Sequence, residues 1–349
     1  MAKVTLFFLI FAQNMTKNVT IKDIAREAGV SIALVSFVMN NRIGADGKQK
    51  YRVSQATQER IREVAARMNY QPSSAARMLR QGRTRVIGVI LSDLGNIFYG
   101  IIAKEMEKIL TRKGYTVLFG STEEDPERFG RLVQSFLEKD VEGFIIVPCV
   151  GCGQYVERLQ ASGRPFVAID RHHPSYDIPS VLLDNVGAMQ LAVGALKKQG
   201  VRKMGLFTYE MRTSAMIERE KGFREEMGHN APIYRMGFYT MKEDTRKAAD
   251  AILEAGLDGI VCASNEISAL LIKELIHRGI RVQEDIHIAG FDYSNVYDIF
   301  TPHIPHVEQP LPQMAKESTD YLFRLIDKKD RGEDISKEKD KIVLKANLI

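Results

Sequence analysis

Residues 19–40 read VTIKDIAREAGVSIALVSFVMN, and this stretch constrains the chain more than any other. Thr20 is placed to cap a helix in which Ile21, Ile24, Ala25 and Ala28 recur at i, i+3, i+4 and i+7. Gly29 then falls where a tight joint between crossed helices needs a residue free to take φ > 0. Ser31 is a second cap, ahead of a helix with Leu34, Val35 and Val38 as its apolar positions. Helices this short are marginal alone. A third stripe, Ile61, Val64, Ala65 and Met68, follows an N-cap candidate at Ser54 and can close the unit. The pattern predicts three helices with a helix-turn-helix core, its second helix free to enter a DNA major groove.

The charge distribution agrees. The net charge is only +5, but residues 15–85 hold 14 Lys/Arg against 5 Asp/Glu, and residues 86–349 hold 34 against 39. A basic head on a mildly acidic body fits a polyanion-binding module joined to one that binds something else. Three cysteines, an odd number, are too few for a disulfide framework and point to a reducing cytoplasm. No apolar run is long enough to span a bilayer, so no membrane partner is expected. Residues 4–12, VTLFFLIFA, are apolar but short, with one charge ahead and no convincing cleavage site. The expectation is that residues 1–14 are an extension or precede a true start at Met15.

From Val86 the chain alternates apolar strands with amphipathic helices. Strands are expected at 86–91, 116–119, 143–147, 166–169 and 181–183, then at 203–208, 259–263 and 287–291. Helix patterns at 101–113, 128–139, 185–199, 217–227, 245–255 and 266–278 separate them. Such alternation implies parallel sheets with helices on both faces and ligand groups at the carboxyl ends of strands. Those ends carry Ser92-Asp93, Asp170-Arg171, Asp184-Asn185, Ser264-Asn265 and Asp292, a set suited to the hydroxyls of a polyol.

Residues 19–40, Val53-Ser54, the run NYQPSSAARML at 69–79 and Ile87-Gly88-Val89-Ile90 closely resemble the lac repressor (LacI/GalR) family of bacterial transcription regulators. The resemblance covers nearly all of the chain after Met15. It implies a fold class: an all-α helix-turn-helix head and an α/β body of two Rossmann-like lobes, like periplasmic binding proteins. The implied domains are 15–72 for DNA binding, 73–85 for a hinge helix and linker, and 86–349 for effector binding and dimerisation. Within the body, lobe one takes about 86–184 and 310–336, and lobe two about 185–309 and 337–349. The basic loop 41–52 is longer than the family's usual link.

The resemblance also assigns residues. Ile32, Ala33, Ser36 and Phe37 fall where relatives contact base edges. Three of the four are apolar and can pack only on thymine methyls. Thr20, Ser31, Ser36 and Asn40 are better suited to phosphates. In the hinge, Ala76 and Arg77 flank Leu79, which matches the apolar wedge that relatives drive into the minor groove. Effector contacts are expected from Phe98, Tyr99, Asp170, Arg171 and Asp184 on one side, and from Arg219, Tyr239, Asn265 and Asp292 on the other. The partners implied are a double-stranded DNA operator, a sugar-like effector, and a second copy in a homodimer or dimer of dimers. No cofactor, metal or catalytic residue is expected. Cys149 and Cys152 form a CxxC pair, but at a strand end where it is not expected to open a helix as a redox motif does. The alternative reading is an exported periplasmic sugar-binding protein, supported by residues 4–12 and the body and opposed by the basic head.

If Leu79 is the wedge, Leu79→Ala weakens operator binding far more than nonspecific DNA binding in a competition titration. Equal losses on both DNAs contradict the assignment.

Overall fold

The computed structural model describes residues 19–39, 53–70, 82–173 and 175–349. The chain divides into two units, residues 1–83 and 84–349. Asn40, Ala76, Arg77 and Leu79, the loop 41–52 and residues 1–14 lie outside the described residues.

The first unit contains helices α1 (Ile21–Glu27), α2 (Ile32–Met39) and α3 (Gln55–Arg67). Thr20 caps α1 reciprocally with Asp23: each accepts a hydrogen bond from the other's backbone N–H. Gly29 takes φ +60° at the joint, as its position between two crossed helices requires. The Ser31 hydroxyl accepts from the Leu34 N–H at 3.2 Å, and Ser54 caps α3 through the Thr57 N–H. Ile24, Ala25, Ala28, Val35, Val38, Ile61, Val64 and Ala65 form one small core, joined by Phe37. Ile21, Leu34 and Met68 pack at its edge.

Among the described residues the second unit has two six-stranded sheets. The first comprises β1 (Val86–Leu91), β2 (Thr116–Ser121), β3 (Gly143–Ile146), β4 (Phe166–Asp170), β5 (Ser180–Leu183) and β11 (Lys341–Leu344), in order β11-β5-β4-β3-β1-β2, all parallel. The second comprises β6 (Met204–Tyr209), β7 (Ile233–Met236), β8 (Gly259–Cys262), β9 (His287–Phe291), β10 (His306–Glu308) and β12 (Asn347–Leu348), in order β12-β10-β9-β8-β6-β7. Only the β10–β12 pair is antiparallel there. The crossovers are α4 (Ile97–Arg112), α5 (Pro126–Glu138), α6 (Gly153–Ala161), α7 (Asn185–Lys198), α8 (Ser214–Met227), α9 (Met241–Glu254) and α10 (Asn265–His277), with α11 (Leu311–Asp330) returning to lobe one. The strands read as unbroken apolar runs because both sheet faces are covered. VIGVIL in β1, for example, is buried at five of its six positions.

One boundary needs correction. Residues 337–349 were assigned to lobe two, but Lys341–Leu344 pairs with β5 at the edge of the lobe-one sheet. Residues 346–349 reach lobe two, Ala346 against its core and the rest against β10. The final residues therefore cross between lobes. The charge-rich run at 327–330 is the end of helix α11.

Helices α7 and α8 pack through Gly222, where an added Cβ would lie 2.5 Å from the Val186 carbonyl oxygen and 3.0 Å from Met189 Cβ. Backbone cannot yield as a side-chain tip can, so Gly222→Ala should destabilise the body by about 1–3 kcal/mol. A urea midpoint equal to that of the parent protein would show the helices free to separate.

Candidate functional site

The described head residues present one exposed polar-apolar surface. Thr20, Ser31, Ile32 and Ala33 are exposed, with Ile32 49% accessible, and Ser36 is half-buried. Ser31 to Ala33 form the first turn of α2, the part of a recognition helix that meets base edges. Phe37 does not belong with them: it is 5% exposed and packs in the three-helix core. Its place three residues after Leu34 puts it on the buried stripe, and a Phe there gains more from burial than from solvent. Thr20 is also committed, its hydroxyl donating to Asp23 Oδ2 at 2.7 Å.

In the body, the carboxyl ends of the strands meet across a cleft with a cavity of about 70 Å³. Asp170, the last residue of β4, and Asp292, the first after β9, both adopt left-handed backbone, at φ 71° and 65°. Aspartate tolerates that conformation better than most residues. Strained positions of this kind gather at ligand sites.

The lobe-one side is a closed polar network. Arg171 donates through Nε to Asp170 Oδ2 (3.3 Å), through one terminal nitrogen to the Tyr99 hydroxyl (2.9 Å), and through the other to Glu124 (3.0 Å). The Tyr99 hydroxyl donates in turn to Asp170 Oδ2 at 2.9 Å, and Ser92 donates to Glu124. Burial and the surrounding carboxylates push the Tyr99 hydroxyl well above its usual range, so it stays a donor.

The lobe-two side is built alike. Arg219 is buried, donates to Asn185 Oδ1 (2.9 Å) and the Ala263 carbonyl (2.7 Å), and lies 3.9 Å from Asp292. Its guanidinium stacks 3.7 Å from the Phe291 ring centre, which compensates part of its lost hydration. Gln309 donates to Asp292 Oδ1 at 2.7 Å, while its own Oε1 is buried without a partner among the described residues. Burial pushes the Asp292 carboxyl up to about 6 against the pull of Arg219. Direct contacts between lobes frame the cavity. Asn265 donates to Asn96 Oδ1 at 3.1 Å, and the Tyr239 hydroxyl donates to the Glu123 carbonyl at 2.8 Å.

The structure thus gathers Phe98, Tyr99, Asp170, Arg171, Arg219, Asn265 and Asp292 around one cavity. Two expected contacts are not among its lining. Asp184 accepts from the Gly187 N–H and caps α7. Tyr239 is 76% exposed at the mouth, and its neighbour Phe238 lines the cavity instead. Sequence reasoning missed Asn96, Glu124, Tyr209, Phe238, Glu266 and Gln309 as lining residues. Asn96 sits beside Phe98 as the cap of α4, a signal that can be read locally. Glu124 and Gln309 carry none, because only the tertiary fold brings them in.

The comparisons decide the family. Residues 20–73 match the model described as bacterial regulatory proteins, lacI family, and residues 193–346 match the periplasmic binding protein-like domain. A ribose operon repressor of Halalkalibacterium halodurans is 31% identical over 314 residues, 89% of this chain and 91% of that protein. The chain belongs to the LacI family. Catabolite control protein A of Staphylococcus aureus is 30% identical over 84% of this chain and 88% of its own length. A crystal structure of the lac repressor dimer bound to operator and the anti-inducer ONPF has the same fold: TM-score 0.79, 21% identity, over 95% of this chain and 98% of that one. Among the described residues, no helix of this LacI-family chain is long and apolar enough to cross a membrane.

Ile32 and Phe37 lie on opposite sides of α2, one exposed and one in the core. Ile32→Ala should leave the thermal transition of the head in place and weaken operator binding. Phe37→Ala should cost the head about 3–5 kcal/mol, seen as lost helical circular dichroism. A Phe37→Ala head that melts like the parent would return Phe37 to the DNA-facing surface.

Proposed function

We propose that this LacI-family regulator binds an operator through its helix-turn-helix head and that a neutral aldopentose, ribose being the first probe, sets its affinity from the cleft between lobes. Charge balance carries the choice of ligand class. Asp93, Glu124, Asp170, Glu266 and Asp292 line the cleft against Arg171 and Arg219 alone, and both arginines already have carboxylate neighbours. A sugar phosphate would meet a negative excess with no unclaimed cation among the described lining residues, whereas sugar hydroxyls can both donate to the carboxylates and accept from the guanidinium and amide groups. Phe98 and Phe238 supply apolar ring faces, and the narrow cavity suits one small ring. The similarity to a ribose operon repressor supports the same choice. So does the likeness in fold to an Enterococcus faecalis LacI-family regulator solved with bound ribose, at TM-score 0.66 and 22% identity over 76% of this chain.

Binding across the cleft ties Asp170 and Arg171 of one lobe to Arg219 and Asp292 of the other. It biases how the lobes sit on one another, and through the segment 73–85 the DNA-competent population of a dimer. A coupling of about 1–3 kcal/mol corresponds to roughly a 5- to 150-fold change in operator affinity.

The raised Asp292 carboxyl makes the ligand assignment testable by pH. Its ionised form accepts sugar hydroxyls and prevails above pH about 6, so ribose affinity should fall as pH drops below that value. One proton costs at most about tenfold per pH unit. Calorimetry should therefore find ribose bound about tenfold more weakly at pH 5 than at pH 7. Asp292→Asn, weak throughout, should lose that dependence. Tight binding of ribose 5-phosphate in place of ribose would overturn the charge argument, and an unchanged pH profile in Asp292→Asn would remove that carboxylate from the ligand.

A further inference from the structure

Cys149 and Cys152 have no part in the regulator described so far. Both are reduced and buried, at 3% and 0% exposure. Contrary to the expectation from sequence, the pair does open a helix: Cys152 is the N-cap of α6. The Cys152 N–H donates to the Cys149 carbonyl at 3.3 Å across a turn in which Gly151 takes φ 83°. A turn of this type holds its first and fourth Cα atoms within about 7 Å, the span a disulfide bridges. Behind them lies a second cavity of about 80 Å³, lined among others by Pro148, Cys149, Arg171, His172 and Thr213. Arg171 therefore borders both this cavity and the effector cleft.

We propose that Cys149 and Cys152 are a redox-modifiable dithiol that a small peroxide converts to an intrachain disulfide, and that the Arg171 network reads its state. The Cys152 thiolate attacks one oxygen of hydrogen peroxide. The O–O bond breaks, and the departing hydroxide takes up a proton as water, leaving a sulfenic acid. Cys149 sulfur then attacks the Cys152 sulfur. The S–O bond breaks, and the second hydroxide leaves as water with the Cys149 proton. Two thiols lose two electrons in all, and one peroxide becomes two waters. Cys152 is the attacking group because it caps the N-terminus of α6, where the helix N–H groups favour a thiolate. The neighbouring Cys152 thiol and burial push Cys149 up. Closing the bridge draws the two sulfurs to bonding distance, about 2.0 Å. That moves the 149–152 turn against Arg171, which holds Glu124, Asp170 and Tyr99 in the cleft.

The test uses the full-length reduced protein and hydrogen peroxide, followed by blocking of free thiols and tryptic mass analysis. Residues 140–158 lie between Lys139 and Arg158 as one peptide holding both cysteines. This peptide is expected to lose the mass of two hydrogens, escape the blocking reagent and recover on reduction, while Cys262 stays unmodified and blockable after unfolding. Cys149→Ser should stop at a sulfenic acid that a carbon-nucleophile tag captures on Cys152, and circular dichroism shows whether that variant is folded. Both cysteines of the parent remaining blockable, or Cys262 oxidising to the same extent, overturns the proposal. The second readout rests on the cleft being the effector site: oxidation should change ribose affinity by roughly fivefold or more. Equal affinity in a fully oxidised sample overturns the link to Arg171. If neither form binds ribose, the effector reading fails, and the peptide mass still decides the dithiol.

Discussion

The body depends on ionised groups held out of water at the ends of β4 and β9. Arg171 with Asp170 and Glu124, and Arg219 with Asp292, are almost wholly buried. Charges so placed are costly unless paired and hydrogen-bonded, and removing one partner of such a pair costs about 3–5 kcal/mol. Each lobe satisfies its own arginine with its own neighbours: Tyr99 and Glu124 on one side, Asn185 and the Ala263 carbonyl on the other. The cleft is therefore preorganised from both walls before any ligand arrives. Preorganised polar groups lose less on binding than groups that must first be ordered.

The same arrangement bears on how a ligand would couple the two walls. Direct polar bonds between the lobes include Asn96 with Asn265, Tyr239 with the Glu123 carbonyl, and the His172 N–H with Ser214 Oγ. The exposure of Tyr239 makes its bond a weak tie, and the Asn pair is only part-buried. A ligand that bonds to both arginine–carboxylate sets would add cross-lobe interaction to these. It can bias the lobe arrangement only by that differential interaction.

Most of the architecture was legible in sequence because its periodicities are plain. The apolar runs of β1, β3, β4 and β8 and the Thr20, Ser31 and Ser54 caps were all placed correctly, since each rests on local chemistry. The errors have physical causes. Phe37 was turned outward by resemblance to relatives, although its spacing from Leu34 placed it on the buried stripe. Asp184 stood before a helix pattern and carried the signal of a cap, which is what it is. Tyr239 was placed by resemblance to relatives alone, whereas its neighbour Phe238 lines the cavity and Tyr239 stays exposed. Lys341–Leu344 escaped notice for a related reason: four residues in a charged context do not announce a strand, and only the neighbouring β5 edge makes them one. Glu124 and Gln309 belong to the site through tertiary placement alone.

Occupancy of the cleft is expected to change the grip on DNA. The most direct measurement is the dissociation constant of the full-length protein for an operator selected from a random duplex pool, at fixed salt, with and without saturating ribose. A shift of roughly 5- to 150-fold is expected, with nonspecific duplex binding little changed. Identical operator affinities in the presence and absence of a sugar that calorimetry shows to be bound would contradict it.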